Sequence, residues 1–507
     1  MNRRTFLLRL SCLLSLLASS ARLRAAPKLG KAWPFSLDLL RQRARELARN
    51  PYQLPRVQLP EALLELTYDQ YRDIRFQPNE SLWLDKNLPF TTQFFHPGFY
   101  YKTPVRLYEV VDERAKEIRY RPALFDFGSN KPEQSLLKEG LGFAGFRVHC
   151  LLNSADRRDE LIAFQGGTYF RAVGHAMRYG LSARGLAIAT ASEEGEEFPL
   201  FTEFYLERPV TDNSLVIHAL LNSVSTTGVY TFTVRPGEIT VTDVSLMLYP
   251  RKRLGRVGLA PLTSMYFFGA NDRRGVDDFR PEVHDSDGLM IFNGRGEWLW
   301  RPLDNPVRLR ISSFLDHNPN GFGLMQRNRD FTNYQDLESR YEMRPSLWVE
   351  PVGGWGEGVV KLVEIPTDNE INDNIVVFWE PKDPPNAGSE WPLTYRLHWC
   401  KQPPVNPNTA LVVATRVGRG ESEKARKFVI DFVGEKLPKV ADTPLRAVVW
   451  ASRGTVKNLV SQFNEVTGSW RAFFDLIPEG DDPIELRCFL QLGEAALSET
   501  WSYQWSE

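Results

Sequence analysis

The sequence predicts a mainly β protein, a large N-terminal β-sandwich followed by a small immunoglobulin-like β-sandwich. Three observations lead to this reading. Aromatic residues make up 12% of the chain beside 34 Pro and 35 Gly, a composition of short strands and turns more than of long helices. Apolar residues alternate: Tyr230, Phe232 and Val234 run up to a Pro236-Gly237 turn, and Ile239 and Val241 resume the period of two. The densest proline cluster, Lys401-Gln402-Pro403-Pro404-Val405-Asn406-Pro407, then divides a chain of 507 residues, too long for one ordinary domain.

In chain order, residues 1–26 carry Arg3, Arg4, Arg9, Arg22 and Arg24, no acidic residue and a modest apolar stretch ending in Ala-Ala. That pattern is an export signal and not a fold element. Asn2-Arg3-Arg4-Thr5-Phe6-Leu7 fits a twin-arginine signal, which is read by a receptor and exports folded proteins. Arg9 interrupts a run already short of the ~20 apolar residues a membrane span needs, so a soluble periplasmic protein is expected. Replacing Arg3 and Arg4 by lysine should leave precursor in the cytoplasm, and unchanged periplasmic levels on fractionation would exclude this route.

Two early helices follow. Ser36 can cap a helix over residues 37–50 with Leu40, Ala44, Leu47 and Ala48 on one face and Pro51 ending it. A second is expected over 61–73. The large sandwich then occupies the rest of residues 27–400. Its alternation slips at Asp243 and restarts at Val244, Leu246 and Leu248, which suggests a β-bulge. Beyond the prolines, residues 401–507 hold strands at 411–415, 428–432, 445–450, 473–477, 484–492 and 501–505, which suits an immunoglobulin-like sandwich.

Charge excludes some functions. The net charge is −1, and without residues 1–26 it becomes −6, with 57 Lys and Arg against 63 Asp and Glu. A mildly acidic protein suits neither nucleic acid nor an anionic membrane surface. Cys150, Cys400 and Cys488 remain after cleavage, an odd number, and Cys150 and Cys488 alternate with apolar neighbours as core residues do. There is no Gly-x-Ser-x-Gly elbow, phosphate loop or Cys-x-x-Cys pair, and no cofactor is expected. Of seven histidines, His149 reads as structural, and only His284, in an acidic loop, is kept as a site candidate.

The stretch 277–351 interleaves carboxylates, arginines, asparagines and aromatics at a density that core strands do not need. Flat rings cover the apolar faces of a sugar while charged groups satisfy its hydroxyls. Hydrolysing a glycosidic bond takes one protonated acid and one ionised carboxylate. Two acidic loops could supply them: Glu282-Val283-His284-Asp285-Ser286-Asp287-Gly288 and Asp368-Asn369-Glu370-Ile371-Asn372-Asp373-Asn374. Asp373 immediately precedes an apolar strand, where desolvation would favour a general acid, although an Asp between two asparagines is more often only a turn residue. Either loop also offers oxygens to calcium, but without EF-hand spacing.

Several motifs closely resemble the family of periplasmic glucan biosynthesis proteins G and D. They are His284-Asp285-Ser286-Asp287-Gly288, Arg344-Pro345-Ser346-Leu347-Trp348-Val349-Glu350-Pro351, Tyr179-Gly180-Leu181-Ser182-Ala183-Arg184, Pro261-Leu262-Thr263-Ser264-Met265 and Asn372-Asp373-Asn374-Ile375-Val376. The resemblance covers most of residues 30–400, and the twin-arginine signal is closer to the D type. It implies the same two-part architecture and an inverting endo-β-1,2-glucanase acting on linear β-1,2-glucan. It further implies Asp373 as the acid and Asp285 as the base, with Asp287 two residues away as the competing candidate. Tyr341, Arg344, Trp355 and Glu370 would shape subsites. Tyr334, Arg340, Glu342 and Trp348 are further candidates, some of which alternation would turn inward. The rival reading is a non-catalytic glucan-binding protein that presents chains to the inner-membrane synthesis machinery.

Overall fold

The computed structural model describes residues 27–53, 59–84, 88–131, 137–209, 213–273 and 275–506; the export signal lies outside them. Two large sheets face each other. One has sixteen strands. It runs from the short edge strand Trp33–Pro34 through the antiparallel series Leu200–Glu207, Leu215–Asn222, Thr226–Arg235 and Thr240–Pro250 to Trp391–Cys400, Ser346–Pro351, Gly321–Met325, Gly288–Phe292 and Trp298–Pro302. The second has ten strands, with Val257–Ser264 between Ile375–Pro381 and Ser182–Arg184.

Alternation in the strands builds the core between the sheets. Phe94, Phe146, Phe164 and Phe170 are cross-strand neighbours of the ten-stranded sheet and are all buried. They meet Phe204 and Phe232 of the other sheet, with ring centroids 5.3 Å and 5.1 Å from Phe164. The intervening positions form the opposite face, where Gln93, Arg147, Ala163 and Arg171 pair across four strands. Residues of that row carry the polar chemistry described below.

The first helix forms over Leu37–Ala48, capped by Ser36, whose hydroxyl accepts the Leu39 amide at 3.2 Å. Leu40 and Ala44 bury against the outer surface of the large sheet beside Tyr108, Tyr205 and Tyr249. The second expected helix is instead two, Glu61–Leu64 and Tyr68–Asp73, because Thr67 and Gln70 close a capping box that starts a new helix. The expected bulge at Asp243 does not form: Thr240–Pro250 keeps continuous register with both neighbours. Thr240, Thr242 and Val244 point inward, while Asp243 faces outward between Arg235 and Arg396. Two buried threonines in place of aliphatic residues produced the apparent slip.

After the prolines the chain forms a four-stranded sheet, including Thr455–Asn464, which the sequence reading passed over. The facing strands Arg446–Ala451, Ile484–Leu492 and Thr500–Trp505 extend the sixteen-stranded sheet, since Thr500–Trp505 pairs in parallel with Trp298–Pro302. Trp298, Trp300 and Trp348 accordingly pack into the same core as Phe428, Trp470 and Trp501. Cys150, Cys400 and Cys488 are free and buried, and burial pushes the thiols of Cys150 and Cys400 up to about 12.

Candidate carbohydrate site

Both acidic loops are tied to one short segment at the end of Val257–Ser264. The Asp285 amide donates to the Met265 carbonyl at 2.8 Å, just past the bridge between Tyr266 and His284. The Ser264 hydroxyl donates to that of Ser286 at 2.9 Å. From the other loop, the Asn374 amide donates to the Ser264 carbonyl at 3.1 Å. The buried Asn374 side chain accepts from the Tyr266 amide at 2.8 Å and donates to the carbonyls of Tyr266 and Ile365. Residues 264–266 thus hold Asp285 and Asp373 together although 88 positions separate them in sequence.

The two carboxylates affect each other. Burial and the like charge of Asp285 raise Asp373 above the usual carboxylate range, while Arg171, the Thr263 hydroxyl and Arg344 pull it down. Asp373 as a residue is exposed, although its carboxyl is closely surrounded by these groups. Burial is the larger cause and the Asp285 charge the second, and solvent access weakens both. Asp285 is itself buried and contacts the Arg344 guanidinium. Arg344 lies 4.2 Å over the Tyr341 ring, and Gly180 leaves it room, since a Cβ there would meet the Arg344 Cβ at 2.8 Å.

Asp287 is placed differently. Its carboxylate accepts the backbone amides of Arg327 and Asn328 at 3.0–3.2 Å, and its own amide donates to Met325. It clamps a turn, and its oxygens are engaged by backbone amides in place of a ligand. His284 is fully buried between Gln326 and Glu282, each 2.9 Å away, and stacks on Tyr266. Burial pulls its pKa down, but the Glu282 carboxylate more than offsets this and raises it. His284 supports the loop from below.

Glu370 pairs with Arg280 at 2.6 Å, which also bridges Asp278 and Asp336. Arg340 contacts Glu342 in the short turn that carries Tyr341. Three expected subsite residues lie elsewhere. Tyr334 is fully buried, its hydroxyl donating to the Asn328 carbonyl at 2.9 Å, so it is core beneath the site. Trp348 is also fully buried, in the core shared with the C-terminal strands. Trp355 packs near Trp379 and Tyr395, beside the Gly358–Pro381 end of a strand pair whose other end, Glu364–Ile375, adjoins Asp373. Seven residues of strand put Trp355 roughly 20 Å from Asp373.

Sequence reasoning missed Arg171, Tyr169 and Thr263. Arg171 belongs to the outward row of the ten-stranded sheet. Tyr169, on the same strand and face, lies under the Arg184 guanidinium at 5.1 Å, and burial, with a smaller part from the Asp373 charge, raises its hydroxyl above the usual tyrosine range. Nothing in the local sequence marked Arg171 or Tyr169, whose relation to Asp373 exists only through strand pairing, and Thr263 stood in the 261–265 motif without a role of its own.

A mainly β framework thus brings two carboxylates, arginines and tyrosines together around the end of Val257–Ser264. The family described as "Periplasmic glucan biosynthesis protein, MdoG" matches residues 35–505. The chain is 52% identical to a glucans biosynthesis protein G of Rhodopseudomonas palustris strain CGA009, with the whole of both chains covered. It is 52% identical to that of strain BisA53, covering 96% of this chain and 98% of the other. It is 50% identical to that of Bradyrhizobium diazoefficiens, again with the whole of both covered. The chain belongs to the periplasmic glucan biosynthesis protein family. These relatives carry the G name, so the leaning towards the D type rests on the arginine pair alone. Among the described residues no helix is long and apolar enough to cross a membrane.

Proposed function

We propose that this protein is an inverting endo-β-1,2-glucanase that sets the backbone length of periplasmic glucan, with Asp373 as general acid and Asp285 as base. The observation that supports this most is the attachment of both carboxylates to residues 264–266, with one raising the pKa of the other. In the reaction Asp373 gives its proton to the glycosidic oxygen as the bond to the anomeric carbon breaks. A water attacks that carbon from the opposite face and loses its proton towards Asp285. Arg344 orients the Asp285 carboxylate, and Tyr341 supports Arg344.

A second reading, a non-catalytic protein that binds glucan and passes it to inner-membrane synthesis machinery, is favoured by one feature. The Asp285 carboxylate is already engaged by Arg344. Incubating purified protein with linear β-1,2-glucan and following chain length and the anomer released separates the two. Shortened chains with inverted anomers support the enzyme, whereas binding without shortening supports the second reading.

The rate should also depend on pH through Arg171. Its positive charge lowers the Asp373 pKa, so Arg171→Gln should raise it further. The acid then stays protonated to higher pH, and the alkaline limb of kcat should move upward in pH. A limb that stays in place or moves down would remove Asp373 from the acid role.

A further inference from the structure

A second feature lies on the polar face of the ten-stranded sheet, away from the carboxylates. Arg147 and Gln165, on the outward row of that sheet, line a cavity of about 800 Å³ together with Tyr71, Arg75, Gln77 and Asp126. That volume is within the range of small-ligand sites, and its mixture of rings, amides and charges suits sugar hydroxyls. Above its rim stands a cluster of rings. Tyr71 lies 5.9 Å from Phe99 and 5.5 Å from Tyr101, Phe99 lies 3.9 Å from Tyr100, and Tyr68 lies 6.3 Å from Phe99. Tyr100 and Tyr68 are 78% and 61% exposed, and with Phe99 between them they form a contiguous ring surface of the kind that marks binding sites.

The cluster is held rigidly. Phe99 has φ +55°, a strained conformation for a non-glycine residue, fixed by its amide donating to the Leu63 carbonyl at 2.8 Å and by the neighbouring bridge between Gly98 and Tyr101. Strain of this kind persists only where the surroundings impose it, and it concentrates at ligand sites. Gln165 donates to the Tyr71 hydroxyl at 3.1 Å, and the Tyr101 ring sits over Gly166, where a Cβ would approach it to 3.1 Å. Arg171, whose charge acts on Asp373, stands two strands from Arg147 in the same outward row. Aromatic cluster, cavity and carboxylates therefore follow one another along a single face. From the strand of Arg147 to that of Thr263 there are four strand intervals, about 19 Å, a span of several sugar units.

We propose that the Tyr68–Tyr101 ring cluster and the cavity beside it form a distal glucan-binding site. It holds the chain several sugar units away from the carboxylates and makes the protein prefer long chains over short ones. This rests on the reading that the carboxylate face takes linear β-1,2-glucan. The test compares the parent protein with Tyr100→Ala and with the double variant Tyr68→Ala/Tyr100→Ala. Affinity is measured by titration calorimetry for long linear β-1,2-glucan and for an oligosaccharide too short to span the two regions. Both side chains are exposed, so the fold should survive their removal. Long-chain binding should weaken roughly three- to tenfold for the single variant, the loss of one ring–sugar contact, and further for the double, with the short oligosaccharide unaffected. Equal affinity of parent and variants for long chains overturns the proposal alone. A parent that binds no β-1,2-glucan of any length overturns the functional reading and the distal site with it.

Discussion

Asp373→Asn should lower glucan cleavage by about 10²–10⁴-fold, the usual contribution of general acid catalysis, while glucan binding and the fold are kept. The amide is close to isosteric with the carboxylic acid, so packing around residues 264–266 should not change. What is lost is the transferable proton. Stability should be equal or slightly greater, because the unfavourable approach of the Asp285 and Asp373 charges disappears; active-site residues commonly trade stability for function in this way. Asp285→Asn should also impair turnover. Asp368→Asn provides the control, since Asp368 is exposed and its carboxylate accepts from the neighbouring Asn369 side-chain amide at 2.6 Å. Chain-length analysis beside thermal unfolding of each variant checks the set. Near-parental cleavage by Asp373→Asn would move the acid role to Glu370, which the structure pairs with Arg280.

Local chemistry in this chain was legible where the cause is local. Ser36 caps its helix because a hydroxyl at that position meets a free amide, and the strand Ile484–Leu492 follows from alternation within its own residues. The two acidic loops stood out for the same reason, since their carboxylates and asparagines are adjacent in sequence. Asn374 is an intermediate case. It reads as a turn residue, and its part in joining Asp373 to Tyr266 depends on a strand more than a hundred positions upstream.

Features that depend on pairing at long range could not be read. Arg171 reaches Asp373 only because the strands between them pair in one register. Tyr334 and Trp348 are of the same residue types as the site's side chains and differ only in direction, set for Tyr334 by the turn after Phe331–Asn333 and for Trp348 by its strand. Trp355 came from the family resemblance, and its place at the far end of the strand pair depends on the register of Glu357–Glu364 with Ile375–Pro381. The parallel pairing of Leu299 with Thr500 likewise joins segments two hundred residues apart across the proline cluster, and nothing in that cluster indicates whether the sheet stops or continues there.

That continuity leads to the second large expectation: Glu499→Ala should destabilise the protein by about 3 kcal/mol, and the loss should reach the carboxylate loop. Glu499 lies just before the strand that extends the large sheet, and its carboxylate is fully buried. It accepts two N–H groups of Arg327 at 2.5 and 3.0 Å and the Val412 amide at 2.7 Å. Arg327 also donates to the Val412 carbonyl and lies 3.6 Å over the Trp300 ring. Removing the carboxylate leaves a mostly buried guanidinium and a backbone amide without their acceptor, a larger cost than the pair itself contributes. Glu499→Gln, which keeps an acceptor for Val412 but not the charge, should fall between parent and alanine variant in urea unfolding. The backbone amide of Arg327 is one of those that hold the Asp287 carboxylate, and Asp287 lies two residues from Asp285. Loosening Arg327 should therefore lower kcat more than it raises KM, because the position of Asp285 matters most in the transition state. A loss below about 1 kcal/mol would mean that the pair behaves as a solvated surface bridge. Unchanged kcat in a clearly destabilised variant would mean that the C-terminal strands support the sheet without setting the geometry of the site.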